Sequence, residues 1–386
     1  MTKVAATCRG IQIDRRRHAH GVRSLKRAVL LMNRNLPAAI HNLRSILAIA
    51  MEHDEQRAAV VVYDTQSELA EILVDAYLAC LPGAKKIAFY DVAPDDVKAS
   101  FDPLQASDLV VLIQSTSFRL PDFRIRVELY KRDIKVIEHS NLLRAQGNEI
   151  DYYVNALAYD PAYYRGIGHA LKARIDRASS ATVESGEVLR FDCALEPAKL
   201  NIGDFSTLKN VGSQFPIGEV FTEARDLERV QGRVRIYAFA DTTFRLNAPE
   251  TPITLVVDQG RVVDVVNSTD EFDRVMARIT ADEGEVWVRE LGFGMNRAFG
   301  RDRLVRDVGA FERVCGIHLS LGAKHGVYKK PHLRNRETHH HVDVFVITDR
   351  VLLDGTVVFD NGAWCVNDVA LMPSEVSATR EEVAPS

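Results

Sequence analysis

The stretch Ala58-Ala59-Val60-Val61-Val62-Tyr63-Asp64-Thr65 decides how the first half of the chain is read. It is a short apolar run with a polar stop, which fits a strand buried on both faces. Helical periodicity follows over 66–80, and Pro82-Gly83 ends it. The unit then recurs. Lys86-Ile87-Ala88-Phe89-Tyr90 reads as a strand leading to a helix near 95–102. A third strand runs from Asp108 to Ile113 and ends in Gln114-Ser115-Thr116-Ser117, and a fourth runs from Ile134 to Glu138.

Strands that alternate with helices and carry near-continuous apolar runs call for a parallel sheet covered on both sides. The expectation is a Rossmann-like α/β layer over residues 32–185, with helical patterning over 141–185 as a linker. No Gly-rich turn follows the first strand, so no dinucleotide fingerprint is visible. Arg119 and the polar loops after the strands read as ordinary strand-end polarity. From about 185 the pattern becomes β-rich. Alternating strands are expected at 233–240, 252–257, 261–266, 285–290, 342–348 and 355–359, with one helix at 270–280. Turn signals such as Asp258-Gln259-Gly260 and Asp354-Gly355 separate them. This gives a second, α+β unit over 186–372 and a polar tail over 373–386.

The 386 residues are 46% hydrophobic and 26% charged, with net charge −4, so nucleic acid and anionic membrane are not expected partners. No apolar run approaches the ~20 residues of a membrane span. Cys8, Cys80, Cys193, Cys315 and Cys365 form no Cys-x-x-Cys pair, which points to free thiols in a reducing compartment, the cytoplasm. Residues 1–31 hold eight Lys or Arg and a single acid, Asp14. A transit peptide has this composition, as does a disordered extension or a start placed upstream of a true beginning at Met32; the extension is the expectation.

Six of the twelve histidines lie between 318 and 341. His339-His340-His341 feeds into Val342-Asp343-Val344-Phe345-Val346-Ile347, a buried strand by composition. Side chains two apart on a strand share a face, roughly 6.5 Å apart, so His341 and Asp343 can converge on one cation. A carboxylate inside so apolar a run needs a partner, because burying it alone is very costly. His318 lies in the apolar segment Cys315 to Gly322. Glu290 ends Glu285-Val286-Trp287-Val288-Arg289-Glu290, where strand parity puts it with Val286 and Val288 and turns Arg289 the other way. Glu219 follows the fixed loop Phe215-Pro216-Ile217-Gly218. Two imidazoles and three carboxylates suit Zn²⁺, Mn²⁺, Co²⁺ or Fe²⁺. Five ligands exceed what one catalytic zinc takes, so the count points to two ions per chain that polarise a carbonyl and activate a water.

In order, Pro216-x-x-Glu219-Val220-Phe221-Thr222, Glu290-Leu291-Gly292, His318-Leu319-x-Leu321-Gly322 and His341-x-Asp343 resemble the motifs of the thermophilic metallo-aminopeptidases, the aminopeptidase T or M29 family. The resemblance spans roughly 55–360. It implies that Glu219, Glu290, His318, His341 and Asp343 bind two divalent metals in a homodimer that trims N-terminal residues from peptides. More distantly, the order His318, His341-x-Asp343 is similar to the iron-dependent dihydroxypyridine dioxygenases, which use two histidines and one aspartate. A binding protein that has lost activity is a third class.

Two departures stand out. The family commonly has two consecutive glutamates in the first motif, and here Gly218 precedes Glu219, which leaves the general base unassigned. A tyrosine normally follows the first histidine, and Tyr328 is the nearest, out of register. The loop from Lys324 to Pro331 is cationic enough to hold a substrate carboxylate, or is a solvated loop. The expected function is a metal-dependent hydrolase of peptides or small amides, with Tyr328 and Lys324 as candidate oxyanion helpers.

Overall fold

The computed structural model describes residues 34–205, 211–330, 333 and 338–366. The basic extension 1–31 and the tail 373–386 lie outside the described residues. After helix α1 (Asn35–Ser45) come four parallel strands: β1 (Ala59–Tyr63), β2 (Lys85–Ala88), β3 (Leu109–Ile113) and β4 (Lys135–His139). They lie in the order β2-β1-β3-β4. Helices α2 (Glu68–Cys80), α3 (Pro94–Ala99) and α4 (Ile125–Tyr130) connect them. On one face Val60, Val62, Val110, Leu112 and Val136 pack with Val97 and Leu129. On the other, Val61, Val111 and Ile137 pack with Leu69, Ile72 and Leu73 of α2. Burial on both sides is why these strands show no polar alternation. The Ser67 side chain accepts the Ala70 N–H at the start of α2, where Glu68 and Glu71 also favour the helix N-terminus.

Helices α5 (Asn148–Ala156) and α6 (Pro161–Ile175) lead out of this layer. Three short strands follow: β5 (Ala181–Glu184), β6 (Val188–Phe191) and β7 (Lys199–Asn201). Then β8 (Gly212–Gln214) returns to the first sheet and lies parallel to β4, with Val136 opposite Gly212. The second sheet is antiparallel. To β5, β6 and β7 it adds β9 (Glu219–Glu223), β10 (Val230–Ala240), β11 (Leu246–Asn247), β12 (Ile253–Asp258) and β13 (Arg261–Val266). It also contains β14 (Val288–Gly294), β15 (Gly316–Leu321), β16 (Val342–Val346), β17 (Arg350–Leu353), β18 (Thr356–Asp360) and β19 (Ala363–Trp364). Its path is β19-β18-β17-β5-β6-β10-β16-β15-β14-β9-β7, with β11 and β12 on β10 and β13 on β12. Helix α7 (Asp270–Glu283) buries Phe272, Val275 and Ile279, and the short α8 (Val308–Phe311) precedes β15. No helix among the described residues is long and apolar enough to cross a membrane.

The two-layer division into a parallel α/β sheet and a β-rich half agrees with the sequence. One expected strand is displaced. The segment expected at 285–290 pairs as β14 only from Val288 onward, because Trp287 bridges to Arg261, whose guanidinium lies 4.0 Å from the indole centre.

A buried polar chain fixes the loop between β8 and β9. Tyr153 Oη donates to the Phe215 carbonyl at 2.9 Å. It therefore accepts from His139 Nδ1 at 2.9 Å, which leaves His139 Nε2 to accept from Tyr77 Oη at 2.8 Å. Burial lowers the His139 pKa to about 3, so the ring is neutral and holds one tautomer. Every member is satisfied, and the Phe215 carbonyl, four residues before Glu219, is held in place. Tyr153→Phe should cost about 1–3 kcal/mol of stability by stranding a buried carbonyl and a buried N–H. Urea denaturation checks this, and an unchanged midpoint would remove the chain from the account.

Candidate metal centre

Four neighbouring strands, β9, β14, β15 and β16, build the site. Residues directly opposite in an antiparallel pair share a face. Glu219 lies opposite Gly294, and Gly292 lies opposite His318. His318 lies opposite Phe345, and Ser320 opposite Asp343. Register alone therefore brings Glu219, His318 and Asp343 to one face, although they are spread over more than a hundred positions. Glu290 joins the same face through β9, where the register runs unbroken from Glu290 opposite Glu223 to Gly294 opposite Glu219. A β-bulge between Val288 and Leu291 interrupts the β14–β15 register, and the Glu290 N–H donates to Ser320 Oγ at 3.0 Å.

The bulge corrects the parity argument for Arg289. Period-two alternation is not kept where two residues oppose one. Arg289 is buried and bonds to Glu223, the residue directly across from Glu290 on β9.

Ligand atoms of Glu219, Glu290 and His318 all lie within 4.8 Å of one another. His318 Nε2 is 3.2 Å from Glu219 Oε1 and 3.4 Å from Glu290 Oε1. His325 Nε2 is 3.0 Å from Glu290 Oε2. Beside this group His341 Nε2 is 3.1 Å from Asp343 Oδ1, and the His341 and His325 rings are 6.0 Å apart. His341 Nδ1 faces the Lys324 carbonyl at 3.3 Å. When Nδ1 carries the proton, Nε2 presents its lone pair, which is the arrangement of a metal-ligating histidine.

Charge balance is the site's main problem. Burial lowers the basicity of His318, but Glu219 and Glu290 outweigh it and raise its pKa well above the usual value. Burial also works against ionised Glu290, yet His318, His325 and His341 hold it below the normal carboxylate range. Burial opposes protonation of His341, and Asp343 reverses this, raising the pKa to about 10. Without a metal, protons on the imidazoles therefore balance the acids. Asp343 is only 3% exposed, and among the described residues its Oδ1 has no hydrogen bond. A buried carboxylate oxygen in that state fits a cation beside it. The donor set of imidazole and carboxylate, without thiolate, suits Zn²⁺, Mn²⁺ or Co²⁺.

Several residues here carried no site assignment from sequence. Arg313 Nη1 bonds Glu219 Oε2 at 2.7 Å and Glu312 Oε1 at 2.5 Å. Burial, with Glu219 and Asp343 near it, lifts the Glu312 carboxyl to about 8 despite Arg313. Both charges sit in the apolar stretch from Ala310 to Val314, which is the signal that could have marked them. His325 was visible only as part of a cationic loop.

That loop is anchored. Lys330 Nζ donates to Glu196 at 2.7 Å and to the Ala224 carbonyl at 2.6 Å, and Arg289 bonds the Ala323 and Tyr328 carbonyls. Tyr328 Oη donates to the Pro197 carbonyl at 2.8 Å, so its hydroxyl is committed to the sheet. The Lys324 side chain is exposed.

Gly218 has φ +119, and a Cβ there would stand 2.5 Å from the Tyr164 ring. No second carboxylate fits before Glu219. Gly292 has a different task. Its missing Cβ would stand 2.0 Å from Cε1 of His318, so the glycine leaves room for the imidazole.

No protein-family model matches the chain, and no curated protein does. Among solved structures it is similar to wild-type AmpT from Thermus thermophilus, with a TM-score of 0.54 and 14% sequence identity. The match covers 86% of this chain and 99% of that one, and at this identity it establishes a common fold.

Gly292→Ala should displace the His318 ring and lower bound metal by about tenfold or more, while circular dichroism stays native. Undiminished metal content by mass spectrometry would refute the need for this gap. A pH dependence also follows. His341 has a raised pKa in the metal-free fold, so its stabilising contribution is complete below about 6.5 and is lost as pH rises through about 10. The melting temperature of metal-free protein should fall over that window, less steeply in His341→Asn. Parallel curves for the two proteins would contradict the assignment.

Proposed function

We propose that the chain is a metal-dependent hydrolase that cleaves peptides at their N-termini or small amides, using a site of two divalent ions. The observation that carries this reading is the shared face of β9, β14, β15 and β16, where Glu219, Glu290 and His318 crowd together beside the under-bonded Asp343. The fold shared with AmpT, an aminopeptidase T, supports it. Glu219, Glu290, His318, His341 and Asp343 would hold the ions. Bound there, the ions supply Lewis acidity toward a carbonyl oxygen and acidify a water.

The chain's own residues do the rest. Arg313 fixes the outer oxygen of Glu219, which leaves Oε1 turned to His318. The Lys324 carbonyl orients His341. Glu312, paired with Arg313, adds a further carboxylate beside the cluster. Its carboxyl holds a proton near neutral pH and feels the charges of Glu219 and Asp343, a fitting state for a group that exchanges protons with a reacting water. An iron centre built from His318, His341 and Asp343 alone would leave Glu219 and Glu290 without a role, although they are the nearest groups to His318.

Full-length protein should bind about two Zn²⁺, Mn²⁺ or Co²⁺ per chain and hydrolyse aminoacyl-anilides. Asp343→Ala should lose more than about 100-fold of that activity with its fold intact, and Glu312→Gln should lower kcat without losing metal. Metal analysis and oxygen uptake on one sample decide the matter. One Fe²⁺ per chain with substrate-dependent oxygen consumption, or no metal at all, would reject the hydrolase.

A further inference from the structure

The two histidines nearest Glu290 and Asp343 on the loop side are oriented so that their neutral forms carry the proton on opposite nitrogens. A neutral imidazole carries one proton and one lone pair, and the partner of one nitrogen decides the state of the other. His341 turns Nδ1 to a carbonyl oxygen, that of Lys324. His325 turns Nδ1 to two backbone donors, the N–H of Val327 at 3.1 Å and that of Tyr328 at 3.3 Å. Its lone pair is therefore on Nδ1, and its proton is on Nε2. A ring in this state has no lone pair to offer a metal through Nε2.

That Nε2–H points into the centre. It lies 3.0 Å from Glu290 Oε2, a contact that helps to keep Glu290 ionised but is poorly aligned for a full hydrogen bond. The side chain is 2% exposed, so solvent does not satisfy it. Its ring stands 4.9 Å from that of Tyr328 and 6.4 Å from that of Phe221, which limits its rotation. A buried donor kept in place with only a poorly aligned acceptor is a feature that a ligand would complete. The other donors around the cluster are engaged: Arg313 with Glu219 and Glu312, Arg289 with Glu223, and Tyr328 Oη with Pro197.

Resting on the hydrolase reading above, we propose that His325 is a catalytic hydrogen-bond donor. Its Nε2–H bonds the carbonyl oxygen of the substrate amide and strengthens that bond as the oxygen gains negative charge. The proton stays on Nε2 throughout. His325 thus fills the oxyanion role that neither Tyr328, tied to the backbone, nor the exposed Lys324 is placed to fill.

The test uses metal-loaded full-length protein. His325→Ala should lower kcat on aminoacyl-anilides by about 10²–10³-fold, with KM and metal content unchanged. His325→Gln, whose amide keeps a donor at similar reach, should recover about tenfold or more. A phosphinic dipeptide that mimics the charged tetrahedral state should bind His325→Ala more weakly by a similar factor, measured by calorimetry. Independently of turnover, ¹⁵N-edited spectra of histidine-labelled protein should contain a signal from a ring protonated at Nε2 and bare at Nδ1 that vanishes in His325→Ala.

Loss of metal in His325→Ala, a His325 ring protonated at Nδ1, an unchanged kcat, or glutamine no better than alanine would each overturn the proposal. Inactive wild-type protein with full metal content would instead bring down the hydrolase reading, and the donor role with it.

Discussion

Negative charge buried on one face of an antiparallel sheet is the constraint from which the rest of the site follows. Glu219, Glu223, Glu290 and Asp343 are each less than a tenth exposed. An isolated buried carboxylate is prohibitively costly, so each must have a cation or a proton donor near it. Glu223 is served by Arg289 and Lys330, and Glu219 by Arg313 and His318. Glu290 relies on His318 and His325, and Asp343, among the described residues, on His341. The gradient is informative. Permanent cations sit at the Glu223 end, while removable protons sit at the Asp343 end, where a metal would replace them.

The backbone makes this arrangement affordable in steric terms. Glycines 292 and 294 lie across from His318 and Glu219, so the sheet has no side chains where the imidazole and carboxylate must meet. Unbroken register with β9 adds Glu290 to the same neighbourhood, and beside the bulge before Leu291 Arg289 braces the loop 323–330 through two carbonyls. Beneath it, the chain of hydrogen bonds from Tyr77 through His139 and Tyr153 to Phe215 supports the turn that presents Glu219.

Much of this was legible in the sequence, for a physical reason. Buried parallel strands must be uniformly apolar, so the run at 58–63 announced its sheet, and His341-x-Asp343 announced two groups on one face. The unread parts depend on distance in space. A bulge has no local signature in Val288-Arg289-Glu290, and parity failed there. Arg313 and Glu312 matter because the chain just after α8 brings Arg313 to Glu219 on β9, which no spacing discloses. Whether His325 donates or accepts is set by two backbone amides two and three residues further on. Gly218 looked like a lost carboxylate; the Tyr164 ring shows it to be a steric requirement.

The return of β8 to the first sheet ties the two halves together along the chain. Because Gly212–Gln214 completes the parallel layer after three strands have already been given to the antiparallel one, the two halves are interlaced along the chain. A recombination event at any single position between 139 and 212 would separate β4 from its neighbour. It would also detach the segment that carries Glu219. The β-rich half therefore cannot be cut from the parallel layer at one point of the chain without breaking a sheet.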